Sequence, residues 1–95
     1  MALWSLFVEV GGERYSTQVA APTPRAAIKR FLTTPGLKQV LARLSKDGWP
    51  ASFSMRDNLT LIRMDGLINM HLCQLVREGK YVSVVMVRTV ARQSA

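Results

Sequence analysis

Hydrophobic and polar residues alternate over the first twenty positions of the chain, which is the pattern of strands with one buried face. The alternation covers residues 3–10 and 13–20, and Gly11 and Gly12 separate the two runs. A pair of glycines tolerates positive φ at both central positions of a tight turn. The sequence therefore predicts an N-terminal β-hairpin, and alternation places Phe7 on the face opposite its apolar neighbours in the strand.

Helical spacing replaces the alternation between residues 22 and 48. Thr23 and Pro24 predict a helix start, since a side-chain oxygen caps the first turn and proline there sacrifices no hydrogen bond. A second helix follows a Thr-Thr-Pro-Gly interruption, and Gly48 and Pro50 end it. The positions that share the inward faces are Ala27, Ile28, Phe31 and Leu32 in the first helix and Leu37, Val40, Leu41 and Leu44 in the second.

The remaining residues predict a meander of strands, because turn residues at 57–58, 65–66 and 78–79 separate β-forming runs. A two-residue turn at Glu78 and Gly79 sets Val76 opposite Tyr81, Leu72 opposite Val85 and Met70 opposite Val87. A two-residue turn at 65–66 then sets Leu61 opposite Met70 and Leu59 opposite Leu72. A two-residue turn at 57–58 would turn Phe53 and Met55 away from the core face. A three-residue loop over 56–58 is therefore predicted, since it points both side chains inward. The predicted core face then collects Leu59, Leu61, Ile68, Met70, Leu72, Val76, Val85 and Val87.

Together these elements predict an α+β fold and a single compact domain over residues 1–95. An antiparallel sheet of about six strands carries two short helices on one face, in the order ββααββββ. Residues 67–77 also have apolar positions at helical spacing. If that segment is helical, the order becomes ββααββαβ.

The face opposite the predicted core is also apolar, and two helices cannot cover both faces of a sheet. Either the sheet curls into a partial barrel, or this face meets a partner, for which a two-fold dimer is the economical arrangement. The residues predicted to form that interface are Ile62, Met64, Leu75, Val82, Val84 and Met86.

Positive charge is concentrated in the predicted helices. Residues 14–46 contain no acidic residue, and residues 22–48 carry a net charge of +5 out of the formal +7 of the chain. This excess indicates an anionic partner, although a solvated basic face would have the same composition. The candidate nucleic-acid-binding residues are Arg25, Lys29, Arg30, Lys38, Arg43 and Lys46, with Trp49 as the candidate stacking platform.

Catalytic chemistry has little support in the sequence. His71 and Cys73 are the single histidine and the single cysteine, and they are expected to pack beside Met86 and Val84 rather than to act as a catalytic pair. The acidic residues form no paired constellation, and no metal or cofactor motif is present. The sequence therefore predicts a protein that is not an enzyme and needs no metal or cofactor.

The functional prediction is a small basic binding module that contacts nucleic acid phosphates through its helices, as a homodimer. The alternative is a protein-interaction or oligomerisation module whose basic face docks on an acidic partner. A cytoplasmic location and no membrane association are expected, because no apolar run approaches the roughly 20 residues that span a bilayer.

Overall fold

The computed structural model describes residues 1–64, 66 and 69–89. The strands of this part of the chain are β1 (Ala2–Val10), β2 (Glu13–Ala21), β3 (Asn58–Arg63), β4 (Met70–Arg77) and β5 (Lys80–Thr89). The helices are α1 (Pro24–Phe31) and α2 (Pro35–Leu44), and a 3₁₀ turn follows at Ser45–Asp47. These strands form one antiparallel sheet in the spatial order β2-β1-β5-β4-β3, with β5 in the middle. The predicted α+β class is confirmed.

Two tight turns have the geometry that the sequence predicts. The φ angles are +56° and +82° at Gly11 and Gly12, and +53° and +75° at Glu78 and Gly79. Positive φ at both central positions matches the right-handed twist of the strands that such a turn joins. The predicted β4–β5 pairing is confirmed, with Val76 opposite Tyr81, Leu72 opposite Val85 and Met70 opposite Val87.

Helix α1 begins where the sequence predicts, and α2 begins at Pro35, inside the predicted interruption. The Thr23 hydroxyl accepts a hydrogen bond from the backbone N–H of Ala26 at 3.1 Å, which caps α1. Gly48 adopts the left-handed conformation, with φ of 84°, and ends the helical segment. The predicted inward residues are buried or half-buried against the sheet: Ala27, Ile28, Phe31, Leu32, Leu37, Val40, Leu41 and Leu44.

The sixth predicted strand is absent from the described part of the chain, where residues 51–57 form a loop. The carboxylate of Asp57 accepts a hydrogen bond from the N–H of Ser54 at 2.6 Å, and the Ser54 carbonyl accepts one from the N–H of Asp57. This local turn uses backbone groups that a strand would offer to a neighbour. Phe53 is nevertheless buried and Met55 half-buried, so their inward orientation is confirmed.

The strand interpretation of residues 67–77 is confirmed for Met70–Arg77, so the helical alternative is wrong there. The pairing of β3 with β4 differs from the prediction by three residues. Leu61 lies opposite Cys73 rather than Met70, and Leu59 lies opposite Leu75 rather than Leu72. An odd shift inverts the faces of one strand relative to the other. Parts of the prediction fall on Asp65, Leu67 and Ile68, which lie outside the described residues.

The core lies on the opposite face of the β4–β5 hairpin from the one predicted. Strand β1 decides this, since its alternate residues from Trp4 to Val10 are buried while those between them are exposed or half-buried. Pairing sets Val8 beside Val84 and Leu6 beside Met86, so the face of β5 that carries Val84 and Met86 lies under the helices. The predicted core residues that lie on the other face are Met70, Leu72, Val76, Val85 and Val87.

Four of the six residues of the predicted interface are placed in the core for the same reason. These residues, Leu75, Val82, Val84 and Met86, are fully buried within a single chain and offer no surface to a partner. Met64 is half-buried. Ile62 is exposed, and it lies on the face away from the helices.

Candidate functional site

The two sides of the sheet differ in charge. We call the side that carries α1 and α2 the helical side, and the uncovered face of the five strands the open sheet face. Of the Lys and Arg residues on the strands, Arg14 alone lies on the open sheet face, where it forms an ion pair with Glu9 at 3.3 Å. The open sheet face therefore carries no net charge, and the basic excess of the strands and helices lies on the helical side.

Helix α1 presents the first two cations of the candidate site. Arg25 and Lys29 are four residues apart, so they lie one above the other on the exposed side of the helix. They border an open groove of about 420 Å³, whose other walls are Thr23, Ala26 and Met55. In the described part of the chain, neither cation forms an ion pair. The groove combines two available positive charges with a small apolar wall.

Helix α2 and the turn after it add two further cations. Burial of Leu37, Val40 and Leu41 fixes the inward face of α2 and leaves Lys38 exposed. Lys46 is exposed in the 3₁₀ turn. Neither lysine is within ion-pair distance of an acidic group among the residues that the structure describes. Four candidate cations are therefore available for an external anion.

The other two candidates, Arg30 and Arg43, have partners within the chain. The Arg30 guanidinium donates a hydrogen bond to the carbonyl of Ala20, which links α1 to the end of β2. The Arg43 guanidinium contacts the Glu13 carboxylate, with Nη2 and Oε1 at 2.6 Å. The hydrogen bond to Glu13 raises the pKa of Arg43. Both arginines join helix to hairpin, and Arg43 is neutralised by its partner.

Trp49 lies at the end of the helical segment and is half-buried. The ammonium of Lys80 lies 5.6 Å from the centroid of its ring, within cation–π range. A β-carbon on Gly11 would approach Cζ2 of the same ring to 3.3 Å. The indole is thus already packed within the chain, and stacking of a base on Trp49 stays a prediction.

The open sheet face carries a continuous apolar row that crosses the strands. In the observed register, Phe7 of β1, Val85 of β5, Leu72 of β4 and Ile62 of β3 lie side by side. Phe7 is 52% exposed and Ile62 is 50% exposed. We call these four residues the apolar row. Alternation in the sequence places Phe7 off the core face, but only the register shows which residues of the other strands lie beside it.

A polar row runs parallel to the apolar row on the open sheet face. It contains Arg14, Glu9, Ser83, Gln74 and Thr60, one residue from each strand. The Gln74 amide donates a hydrogen bond to the Ser83 hydroxyl at 3.2 Å. At the other end of the row, the charges of Glu9 and Arg14 neutralise each other in an ion pair. A groove of about 530 Å³ lies beside this end and is bordered by Phe7, Val85 and Tyr15 among others.

His71 and Cys73 lie on the helical side, opposite Met86 and Val84 in the sheet, as the sequence predicts. Burial raises the pKa of Cys73 to about 12, so the thiol is protonated and unreactive at neutral pH. Burial and the nearby charge of Arg63 lower the pKa of His71, which contacts the edge of the Trp4 ring. Among the described residues, no three His, Cys, Asp or Glu side chains are grouped to hold a metal ion.

Comparisons with protein-family models, curated proteins and solved structures find no match to this chain. None of the helices in the described ranges is long and apolar enough to cross a membrane.

Proposed function

We propose that this protein is a non-catalytic binding module whose helical side contacts the phosphates of nucleic acid. The observation that carries the proposal is the separation of charge between the two sides of the sheet. Arg25, Lys29, Lys38 and Lys46 are exposed on helices or in the turn after them, and none forms an ion pair among the residues described. Four such cations on one side suit a polyanion better than a single small anion.

Phosphate contacts of this kind give affinity and orientation but carry no sequence information. Readout of bases would need aromatic or amide groups beside the cations, and Trp49 is already packed against Lys80. The groove between Arg25, Lys29 and Met55 is lined by a mixture of charge and apolar surface rather than by base-reading amides. We therefore expect binding with little preference for sequence.

The salt dependence of binding tests the number of cations. If four phosphates are neutralised, log affinity for duplex DNA should fall against log salt with a slope of about −3.6. If Arg30 and Arg43 also took part, six contacts would give a slope of about −5.4. The measurement is fluorescence anisotropy of a labelled duplex and of a labelled single strand, titrated from low to physiological salt.

Paired variants test whether the helical side is the site. Arg25→Gln with Lys29→Gln removes two positive charges from α1 and should reduce the slope by about 2. The matched control, Arg14→Gln with Gln18→Glu, makes the same change in net charge on the open sheet face and should leave the slope unchanged. An equal reduction of the slope in the two double variants would show that only the net charge of the protein matters and would contradict the proposal. Arg30 is left intact because it bonds the Ala20 carbonyl.

An acidic protein partner is the second candidate, and the groove on α1 favours it. Met55 and Ala26 supply apolar contacts beside Arg25 and Lys29. An acidic peptide with an apolar side chain would satisfy both kinds of surface, whereas a phosphate backbone uses only the charges. Weak binding to both oligonucleotides, lost well below physiological salt, would favour this candidate over nucleic acid.

A further inference from the structure

We propose that the open sheet face binds the same face of a second copy of this chain, and that the apolar row forms the centre of that interface. The proposal is independent of nucleic-acid binding, because the surface lies on the other side of the sheet from the basic helices. The apolar row shares only Ile62 with the interface that the sequence predicts, four residues of which are buried in the core.

The first argument is the apolar character of the face. Besides Phe7 and Ile62, the exposed large hydrophobic residues of the open sheet face are Leu3, Val76 and Tyr81. Leu72 and Val85 are only half-buried, although they lie at the centre of the sheet where a covering layer would bury them. Val76 and Tyr81 lie beyond the polar row, so the contiguous patch consists of the apolar row and its neighbours Met70 and Val87. A contiguous apolar patch of this kind marks an interaction surface.

The second argument is electrostatic. The chain has a formal net charge of +7, so two copies repel each other wherever their basic surfaces meet. The open sheet face avoids this repulsion, since its one cation on the strands, Arg14, is paired with Glu9. Association through this face keeps both helical layers on the outside. A second copy of the same chain is therefore a partner that the charges permit.

The third argument is symmetry. Strand β5 is the middle strand, with two strands on each side of it. A two-fold axis parallel to β5 superposes each row that crosses the sheet on its own copy. Val85 then meets its own copy and Phe7 meets Leu72 of the second copy, whereas Ile62 on the edge strand β3 lies opposite Ser16 of β2. The polar row, from Arg14 to Thr60, meets a polar row. Two sheets that face each other in this way form an aligned sandwich, with mean strand directions within about 30° of each other.

The size of the face is the fourth argument. Five strands spaced about 4.8 Å apart and about eight residues long at about 3.3 Å per residue give a footprint of about 600 to 700 Å². Stable complexes bury about 800 Å² on each partner, and the relief of the side chains adds to the flat footprint. The open sheet face is therefore large enough for a dimer without contributions from the helices.

Sedimentation velocity from micromolar to near-millimolar protein tests the proposal. The wild-type chain should dimerise, and Phe7→Lys or Val85→Lys should raise the dimer dissociation constant by about thirtyfold or more, as expected for the centre of an interface. Gln39→Lys adds the same charge at an exposed position of α2 and should leave the constant within about twofold. Circular dichroism shows that each variant is folded. A wild-type chain that stays monomeric, or a Phe7→Lys variant that dimerises like the wild type, would overturn the proposal.

Cross-linking identifies the face directly. Ser83 lies on β5 beside the proposed axis, so Ser83→Cys should join two copies through a short bifunctional thiol reagent. Ser45→Cys makes the same substitution at an exposed position on the helical side and should remain uncross-linked. Cys73 is buried and does not interfere. Cross-linking of Ser45→Cys in place of Ser83→Cys would show that the copies meet through their helices, against the proposal.

Discussion

Gly11 is the residue at which the first hairpin comes closest to the helical side. A β-carbon built there would lie 2.5 Å from Cδ1 of Leu44 and 3.3 Å from Cζ2 of Trp49. Gly12 has a similar positive φ, but a β-carbon there meets nothing within 4 Å. Both glycines have positive φ, but only Gly11 has close neighbours. Substitutions at the two positions therefore distinguish the cost of backbone strain from the cost of a steric clash.

We expect Gly11→Ala to lower the free energy of unfolding by about 1 to 2 kcal/mol more than Gly12→Ala does, because only Gly11→Ala forces Leu44 to move. Urea denaturation of both variants measures the difference. Equal losses would mean that the positive φ, which both positions share, accounts for the whole cost.

Cys73 shows how burial controls the reactivity of a side chain. It lies on β4 beneath the helices, and burial raises its pKa from the ordinary 9.0 to about 12. A thiol reagent should therefore leave the folded chain unmodified at pH 8 and react with one equivalent of thiol after denaturation. Rapid labelling of the native protein would show that the helices do not shield β4.

The same shift predicts how stability depends on pH. Below about pH 9 the thiol is protonated in both the folded and the unfolded chain. Between about pH 9 and 12 the unfolded chain loses this proton and the folded chain keeps it, so stability falls as the pH rises. Cys73→Ala should flatten the fall in this range, measured as the urea midpoint against pH. Part of the fall should remain, because burial also raises the pKa of Tyr15.

At the scale of elements, α1 depends on its cap. The eight-residue helix is too short to be stable in isolation, and its first turn contains no acidic residue to favour the helix dipole. The bond between the N–H of Ala26 and the Thr23 hydroxyl is thus its main local stabilisation at that end.

Thr23→Ala should lower the free energy of unfolding by about 1 kcal/mol, since it leaves a backbone donor without its acceptor. Thr23→Ser keeps the hydroxyl and should retain most of the stability. Thermal unfolding of the two variants measures both effects. An alanine variant as stable as the serine variant would show that water replaces the cap without cost.

Elements with strong local signals were predicted well. The glycine turns at 11–12 and 78–79, the start of α1 at Thr23 and Pro24 and the inward helical residues all depend on neighbours within a few positions. The β3–β4 pairing was predicted wrongly because the two-residue turn assumed at 65–66 does not fit the observed hairpin. The N–H of Met64 bonds the carbonyl of Met70 at 3.1 Å, so the connection between the strands is longer. A shift of three residues then inverted the faces.

At the scale of the whole molecule, the chain has one basic side and one apolar side. The core holds the helices on one face of the sheet and leaves the other face to solvent in a single chain. In the two proposals, one surface contacts a polyanion while the other contacts a second copy. A dimer formed in this way would expose two basic helical layers on opposite surfaces, each with its own Arg25 and Lys29.

The candidate site was found only in part from the sequence. The absence of acidic residues between positions 14 and 46 is visible in the printed chain, and it is the reason that the helices were chosen as the candidate site. The sequence does not show that Arg43 pairs with Glu13, thirty residues away, or that Arg30 bonds Ala20 across the end of β2. These contacts join elements that are distant in the chain, and they reduce the six candidate cations to four available ones.

The fold class, the existence of two helices and the two tight turns follow from the chain's own pattern, because periodicity, caps and glycine act over a few residues. The tertiary structure alone decided which face of the sheet is the core. Strand β5 is apolar on both faces, so its own pattern is compatible with either one. Its pairing with β1, where Val84 lies beside Val8 and Met86 beside Leu6, selects the buried face and leaves Val85 on the open one.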